Sequence, residues 1–218
     1  MEKWVGRVAL VTGASAGIGA AISRKLVQHG MIVIGCAPNV EKIEEIANEL
    51  ESEKGRLVPV KCDVACEEEV LSMFDKAKEE FGGVDVMINN AGLSHYSPLL
   101  SGRTEDWRHM LEVNILGYCI CTREAVKQMR ERNVDDGHVF LVGSLSGHRM
   151  VPSGPGHFYT STKQAIKALT DGIRNELREL KSHIRVTCLE GDDVADALVY
   201  ALGAPPHVQV GVVIYCFH

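Results

Sequence analysis

The sequence predicts an α/β protein: one doubly wound parallel sheet of about seven strands, formed by residues 1–218 as a single domain. Two observations carry that expectation. Strand-like and helix-like patterns alternate almost from end to end, as βα units do. The strand-like runs are continuously apolar, which suits strands covered by helices on both faces. Strands joined in this way need right-handed helical crossovers, and ligands bind outside their carboxyl ends. No internal repeat, low-complexity tract or linker interrupts the pattern.

The elements follow in order. "RVALVTG" (7–13) is an apolar run closed by glycine, the first buried strand. An Ala- and Ile-rich helix runs from Gly17 to His29 and ends at Gly30. "MIVIGCA" (31–37) is the second strand, the charged amphipathic segment 40–54 a helix, and "RLVPVKCDV" (56–64) the third strand. A helix over 66–81, the strand "VDVMINN" (84–90), a long helix over 104–131 and the strand "GHVFLVGS" (137–144) come next. A helix over 158–181 leads to the strand "HIRVTCL" (183–189). A short helix over 191–202 and the apolar run "VQVGVVIYCF" (208–217) close the series.

Composition excludes several function classes. At 218 residues and 45% hydrophobic the chain suits one sizeable core and not two. A net charge of -6, with Lys and Arg scattered, argues against a nucleic-acid partner, whose phosphates select a basic face. No apolar run reaches membrane-spanning length, and "MEKWVGRVALVTG" moves straight into a strand with no signal-peptide pattern. The expectation is a soluble, cytoplasmic protein without a membrane partner. Seven cysteines, at 36, 62, 66, 119, 121, 188 and 216, form no CxxC pair and read as reduced thiols, mostly in apolar patterns. Nine histidines are equally scattered, with no zinc spacing, so no metal is expected.

The motifs carry the chemistry. "TGASAGIG" (12–19) follows a strand and opens a helix, with glycines at Gly13, Gly17 and Gly19. Glycine allows a tight turn and close approach to a pyrophosphate, and the helix adds free N–H groups and its positive end. A glycine-rich turn can be a structural connector, but that context favours a dinucleotide site in a Rossmann-type domain. In "FYTSTKQAIKAL" (158–169), Tyr159 and Lys163 stand four residues apart, hence on one helix face. A neighbouring ammonium lowers a phenol's pKa and makes it a proton donor near neutral pH. The bland alternative is an exposed pair on an ordinary helix. A serine hydrolase fails on "GSLSG", because Leu145 holds the middle position and no nucleophile elbow exists.

TGxxxGxG spacing resembles the short-chain dehydrogenase/reductase family, and further matches follow in that family's order. "NNAG" (89–92) ends the fourth strand, "SLSG" (144–147) the fifth, "YTSTK" (159–163) opens the next helix, and Asn114 sits in "LEVNILG". Within the family, "CTREAVKQMRERNVDDGH" and "SGHRMVPSGPGHFY" resemble the member-11-like and insect farnesol-dehydrogenase-like group. The resemblance implies an NAD(P)-dependent oxidoreductase acting on CH–OH groups. It implies that Tyr159 protonates a carbonyl oxygen as hydride arrives, or takes the proton back. Lys163 would tune that phenol and hold the nicotinamide ribose, Asn114 would anchor a water in the proton relay, and a serine would bind the substrate oxygen. Ser144 lies three residues before Gly147, as the family requires, while Ser146 gives the more usual spacing to Tyr159; Ser144 is preferred. Gly13, Ser15, Ala16, Gly17, Ile18 and Gly19 would cradle the cofactor, with Asn90, Ala91 and Gly92 beside them. Asp63 and Val64 would meet the adenine.

Cofactor choice rests on "GCAPN", where the second strand ends without the Asp or Glu that accepts a ribose 2'-hydroxyl. NADP enzymes of the family usually have an arginine where Pro38 stands; Asn39 and Lys42 are the remaining candidates for a 2'-phosphate, or are simply solvated. NADP(H) is favoured over NAD(H). The family's Pro-Gly and substrate-capping segment after the sixth strand are missing, because "RVTCLEGDDVADAL" passes directly to the last helix. Three readings follow: an active carbonyl reductase or alcohol dehydrogenase, a dinucleotide-binding pseudoenzyme with an open site, or a partner in a homologous oligomer. Apolar residues near the mouth (Leu93, Tyr96, Val151, Phe158) suggest a small hydrophobic ketone, alcohol, steroid or prenol, or are packing. The apolar face Ile166, Leu169, Ile173 and Leu177 suits the core, and the resemblance also implies helix pairing in a homodimer or homotetramer.

Overall fold

The computed structural model describes residues 1–147, 156–191 and 193–214. Seven strands form one parallel sheet: β1 (Val8–Thr12), β2 (Ile32–Ala37), β3 (Arg56–Lys61), β4 (Val86–Asn89), β5 (His138–Val142), β6 (Arg185–Glu190) and β7 (Val212–Ile214). Their spatial order is β3-β2-β1-β4-β5-β6-β7. β1 pairs with β2 on one side and with β4 on the other, for example Leu10 with Ile34 and with Met87. The chain therefore winds outward in both directions from β1, and the strand order reverses between β1 and β4. Crevices for ligands open at such a reversal. Pro59, which cannot donate to a ladder, is tolerated because β3 lies at the sheet edge.

The helices are α1 (Gly17–Gln28), α2 (Glu41–Glu49), α3 (Glu67–Phe81), α4 (Thr104–Leu111), α5 (Gly117–Glu131), α6 (His157–Glu179) and α7 (Val194–Gly203). Charge placement favours their directions. α3 opens with Glu67, Glu68 and Glu69 at its positive end and carries Lys78 in its last turn. The expected single helix over 104–131 is interrupted by a π turn, Glu112–Leu116, which separates α4 from α5. Sequence periodicity does not mark such a turn, because its one-residue insertion leaves the neighbouring helices in their ordinary rhythm. The final apolar run yields only Val212–Ile214 as strand, and residues 215–217, with Cys216, lie outside the described residues.

Two apolar layers cover the sheet. α1, α2 and α7 pack Leu26, Ile43 and Leu198 on one face; α3, α5 and α6 pack Phe74, Ala125 and Ile166 on the other. β1, β5 and β6 are buried along their whole lengths, which explains their unbroken apolar runs. Of the six described cysteines, all unpaired, Cys36, Cys62, Cys121 and Cys188 are buried. Among the described residues no helix is long and apolar enough to cross a membrane. Trp4, fully buried, ties the first turn to the end of α7 by donating from Nε1 to the Leu202 carbonyl at 3.0 Å. Trp4→Ala is expected to lower the unfolding free energy by about 3–5 kcal/mol in urea titrations. Trp4→Phe should lose about 1 kcal/mol, since Arg185 also donates to the Leu202 carbonyl.

Candidate active site

The site begins with a knot between strand ends. Thr12, the last residue of β1, offers its Oγ1 to the backbone N–H groups of Asn90 and Ala91, each at 3.0 Å. Asn90 returns the tie, donating from Nδ2 to the Thr12 carbonyl at 2.9 Å and the Gly13 carbonyl at 3.3 Å. Little room is left for side chains. Gly13 has φ +67, and a Cβ there would sit 2.9 Å from the Ala91 Cα. A Cβ on Gly19 would collide with the Gly13 carbonyl. Ala16, before the first turn of α1, supplies no side-chain cap, so that helix end lacks the usual partner for its first N–H groups. A glycine-walled turn running into an uncapped helix end fits a pyrophosphate.

A cleft of about 470 Å³ opens here. Gly13, Ser15, Ala16 and Ile18 line one side; Asn90, Ala91 and Gly92 line another; Tyr159 and Lys163 close it. Gly17 and Gly19 shape the turn without lining the cleft. Four sequence-derived candidates stand away from it. Asn39 and Lys42 are exposed beyond the end of β2. Asp63 accepts the Ala65 N–H at 3.0 Å on Oδ1, a turn-forming role, and Val64 packs beneath Gly117.

The second cluster surrounds Tyr159. Ser144 is its polar neighbour, near enough to act on the phenol's titration, and Ser144 Oγ accepts the Ser146 N–H at 3.1 Å. The structure thus brings Ser144 to the phenol and uses Ser146 to fix Ser144. The phenol is not lowered as the pairing with Lys163 suggested. Burial raises it above its ordinary 10.0, and the Ser144 hydroxyl pulls the other way. Lys163 directs Nζ to the Val142 carbonyl at 3.0 Å and lies 5.8 Å from the centre of the Tyr159 ring. It is itself 4% exposed, and burial lowers its pKa from 10.5 to about 8. Asn114, fully buried in the π turn, exchanges two bonds of 2.9 Å with the Leu93 backbone and donates to Thr162 Oγ1 at 3.1 Å. Both N–H groups of its amide are thereby used.

Sequence reasoning passed over three contributors. Thr12 sits inside the quoted glycine turn and carries the strand-end knot. Tyr118, four residues after Asn114, donates to the same Val142 carbonyl as Lys163, at 3.1 Å. Thr162 joins Asn114 to the helix of Tyr159 by donating to the Tyr159 carbonyl at 2.7 Å. The spacing of Tyr118 from Asn114 was a usable signal; the other two were ordinary threonines until the strands came together.

A parallel sheet with a glycine turn at its reversal, and a phenol, a hydroxyl and a buried ammonium across the cleft, is the arrangement of a nicotinamide-dependent oxidoreductase. Comparison with known proteins agrees. The short chain dehydrogenase family matches residues 7–197, and the chain belongs to that family. It is 51% identical over 244 residues to dehydrogenase/reductase SDR family member 11 of Gallus gallus, covering 97% of this chain and 96% of that protein. It is 40% identical over 234 residues to farnesol dehydrogenase of Aedes aegypti, covering 96% and 95% of the two chains. A metagenomic short-chain oxidoreductase crystallised with NADP superimposes with a TM-score of 0.88 at 28% identity, covering 97% of this chain and 96% of that one. The protein is an NAD(P)-dependent dehydrogenase/reductase of alcohols and carbonyls. The alignment with the chicken protein spans 244 positions against the 218 residues of this chain, so at least 26 positions of the relative have no counterpart here.

Lys163 illustrates what such a site does to stability. Its folded pKa lies below its unfolded one, so the penalty for burying the charge is fully present below pH 8 and fades as pH rises towards 10.5. Lys163→Met is therefore expected to stabilise the protein by about 1–3 kcal/mol at pH 7. Urea unfolding should show that gain shrinking at pH 10; an equal gain at both pH values would contradict it.

Proposed function

We propose that the protein interconverts hydrophobic ketones and alcohols with NADP(H), with Tyr159 as the proton donor and acceptor. The observation that carries this reading is the cleft that Tyr159, with Ser144 as its polar neighbour, shares with the buried Lys163, across from the glycine turn. A bound NADPH supplies the hydride. The turn from Gly13 to Gly19 and the α1 terminus hold the pyrophosphate, and Asn90, Ala91 and Gly92 line the adjoining wall. Ser144 holds the substrate oxygen, and Tyr159 gives that oxygen its proton. Lys163, still cationic below about pH 8, stabilises the phenolate that remains. In oxidation the proton returns to Tyr159.

Preference for NADP(H) follows from the absence of a carboxylate after β2 and the exposed Asn39 and Lys42, which can meet a 2'-phosphate. Asp63 and Val64 are assigned the adenine end. Leu93 lines the cleft, and Tyr96, Leu99 and Leu100 are exposed on the loop that follows it, so an apolar substrate meets apolar walls. Val151 lies outside the described residues.

The chain is a single dinucleotide-binding domain, and a homodimer or homotetramer is the proposed assembly. α5 and α6 leave a groove of about 680 Å³ with Cys119, Val126, Leu169 and Ile173 along its floor and charges of both signs at its rim. Leu169 and Ile173, expected in the core, are only partly buried there. A second copy brings the same apolar floor and mixed rim, as a two-fold interface requires.

A second reading is favoured by one observation. β6 ends at Glu190 and α7 starts at Val194, and we assign the missing 26 or more positions to that junction. Without a segment to exclude water, turnover falls while cofactor binding survives. NADPH oxidation against a panel of hydrophobic ketones separates the readings. Turnover lost by about 10²–10⁴-fold in Tyr159→Phe supports the catalytic assignment, and turnover retained in that variant overturns it. NADPH binding without turnover in either protein supports the pseudoenzyme. Lys42→Ala should weaken NADPH binding by about two- to fivefold and leave NADH binding unchanged, as read by nicotinamide fluorescence.

A further inference from the structure

The departure from the family pattern after β6 leaves a carboxylate, Glu190, at the carboxyl end of that strand. It is 1% exposed. Its Oε1 presses on the β5 exit: a Cβ built on Gly143 would sit 2.8 Å from it, and one on Gly147 3.6 Å. Lys163 flanks the same turn. A Cβ on Gly147 would lie 3.0 Å from the Lys163 carbonyl, and the Lys163 Nζ donates to Val142, the residue before Gly143. Anion and cation therefore converge on residues 142–147 from β6 and α6, both withdrawn from water.

We propose that Glu190 is a positioning residue for Lys163, an anion that keeps the lysine charged inside the cleft. The groups facing Lys163 among the described residues are Tyr159 on its own helix, Tyr118 from α5, and Cys188 and Glu190 from β6. Burial holds the Tyr118 phenol well above its ordinary range and the Cys188 thiol up at about 12, so both stay neutral at working pH. Cys188 Sγ donates to Glu190 Oε1 at 3.5 Å. Cys188 and Glu190 are the two groups that oppose the desolvation of Lys163, and Glu190 is the carboxylate of the two. The consequence for catalysis rests on the function proposed above; the effect on the lysine does not.

The test reads the lysine directly, by NMR titration of ¹³C-labelled lysine side chains, with the Lys163 signal assigned through its loss in Lys163→Met. The wild-type midpoint is expected at about 8. Glu190→Gln should move it down by about one pH unit or more, and Glu190→Asp should bring it most of the way back. An unmoved midpoint in a Glu190→Gln protein with a native circular dichroism spectrum overturns the proposal. A wild-type measurement covers the case in which that variant does not fold: the Glu190 ¹³Cδ signal must be that of a carboxylate at pH 7, and that of a carboxylic acid overturns the proposal. The alkaline limit of NADPH-dependent turnover should fall together with the lysine midpoint. A lysine shift in a protein with no turnover supports the role of Glu190 and counts against the catalytic reading.

Discussion

A crevice at the edge of a parallel sheet needs two neighbouring strands whose chains leave in opposite directions, and it must not let them drift apart. Here the divergence falls between β1 and β4, and the tie is a reciprocal set of hydrogen bonds between Thr12 and Asn90. Each bond satisfies a backbone group that the strand ends would otherwise leave unpaired. The tie also explains the glycines. With the two strand ends held this close, a Cβ on Gly13 or Gly19 meets backbone, so those two positions admit only glycine. Everything that lines the cleft is referred to this knot.

The sheet was legible because its central strands are buried on both faces and its helices carry apolar stripes in the expected places. Strand limits moved by a few residues where apolar residues continue past the last ladder bond, as Cys62 and Val64 do after β3. The catalytic candidates were legible as a spacing, but not their electrostatics. Tyr159 and Lys163 share a helix face, yet burial acts on both, raising the phenol and lowering the ammonium, and the Val142 carbonyl takes the lysine's bond. Long-range partners decide these outcomes, and a one-dimensional pattern holds no record of them. The π turn escaped for the same reason: its value is to aim Asn114 at Leu93, twenty-one residues upstream.

Three polar side chains are buried together at the site. Asn114, Lys163 and Glu190 are all under 5% exposed, and they gather around the carboxyl ends of β4, β5 and β6. Each desolvated group opposes folding unless it is paired. Asn114 is fully paired, Lys163 has one carbonyl and a neighbouring carboxylate, and Glu190 has a thiol. At the other end of β6 a second charge is buried: Arg185, 4% exposed, donates to the Ala201 carbonyl of α7 at 3.0 Å.

The short β6–α7 junction shifts the burden of shaping the substrate side onto α4 and the loop after β4. That loop is pinned at two points. His95 Nε2 meets His109 Nδ1 at 3.0 Å, and Trp107 donates from Nε1 to the Ser97 carbonyl at 3.4 Å. Trp107 also stacks on Phe158, the residue before Tyr159, with centroids 5.6 Å apart. One helix therefore braces both the apolar loop and the root of the phenol. Beyond those pins, Tyr96 and Leu100 stay exposed at 81% and 101%, a larger apolar display than a lone loop needs. Among the described residues, a wall braced in this way can orient a substrate that spreads along it. In the function proposed above, the charge that develops in the transition state would fall to Ser144, Tyr159 and Lys163, and catalytic power would turn on how much of it they hold.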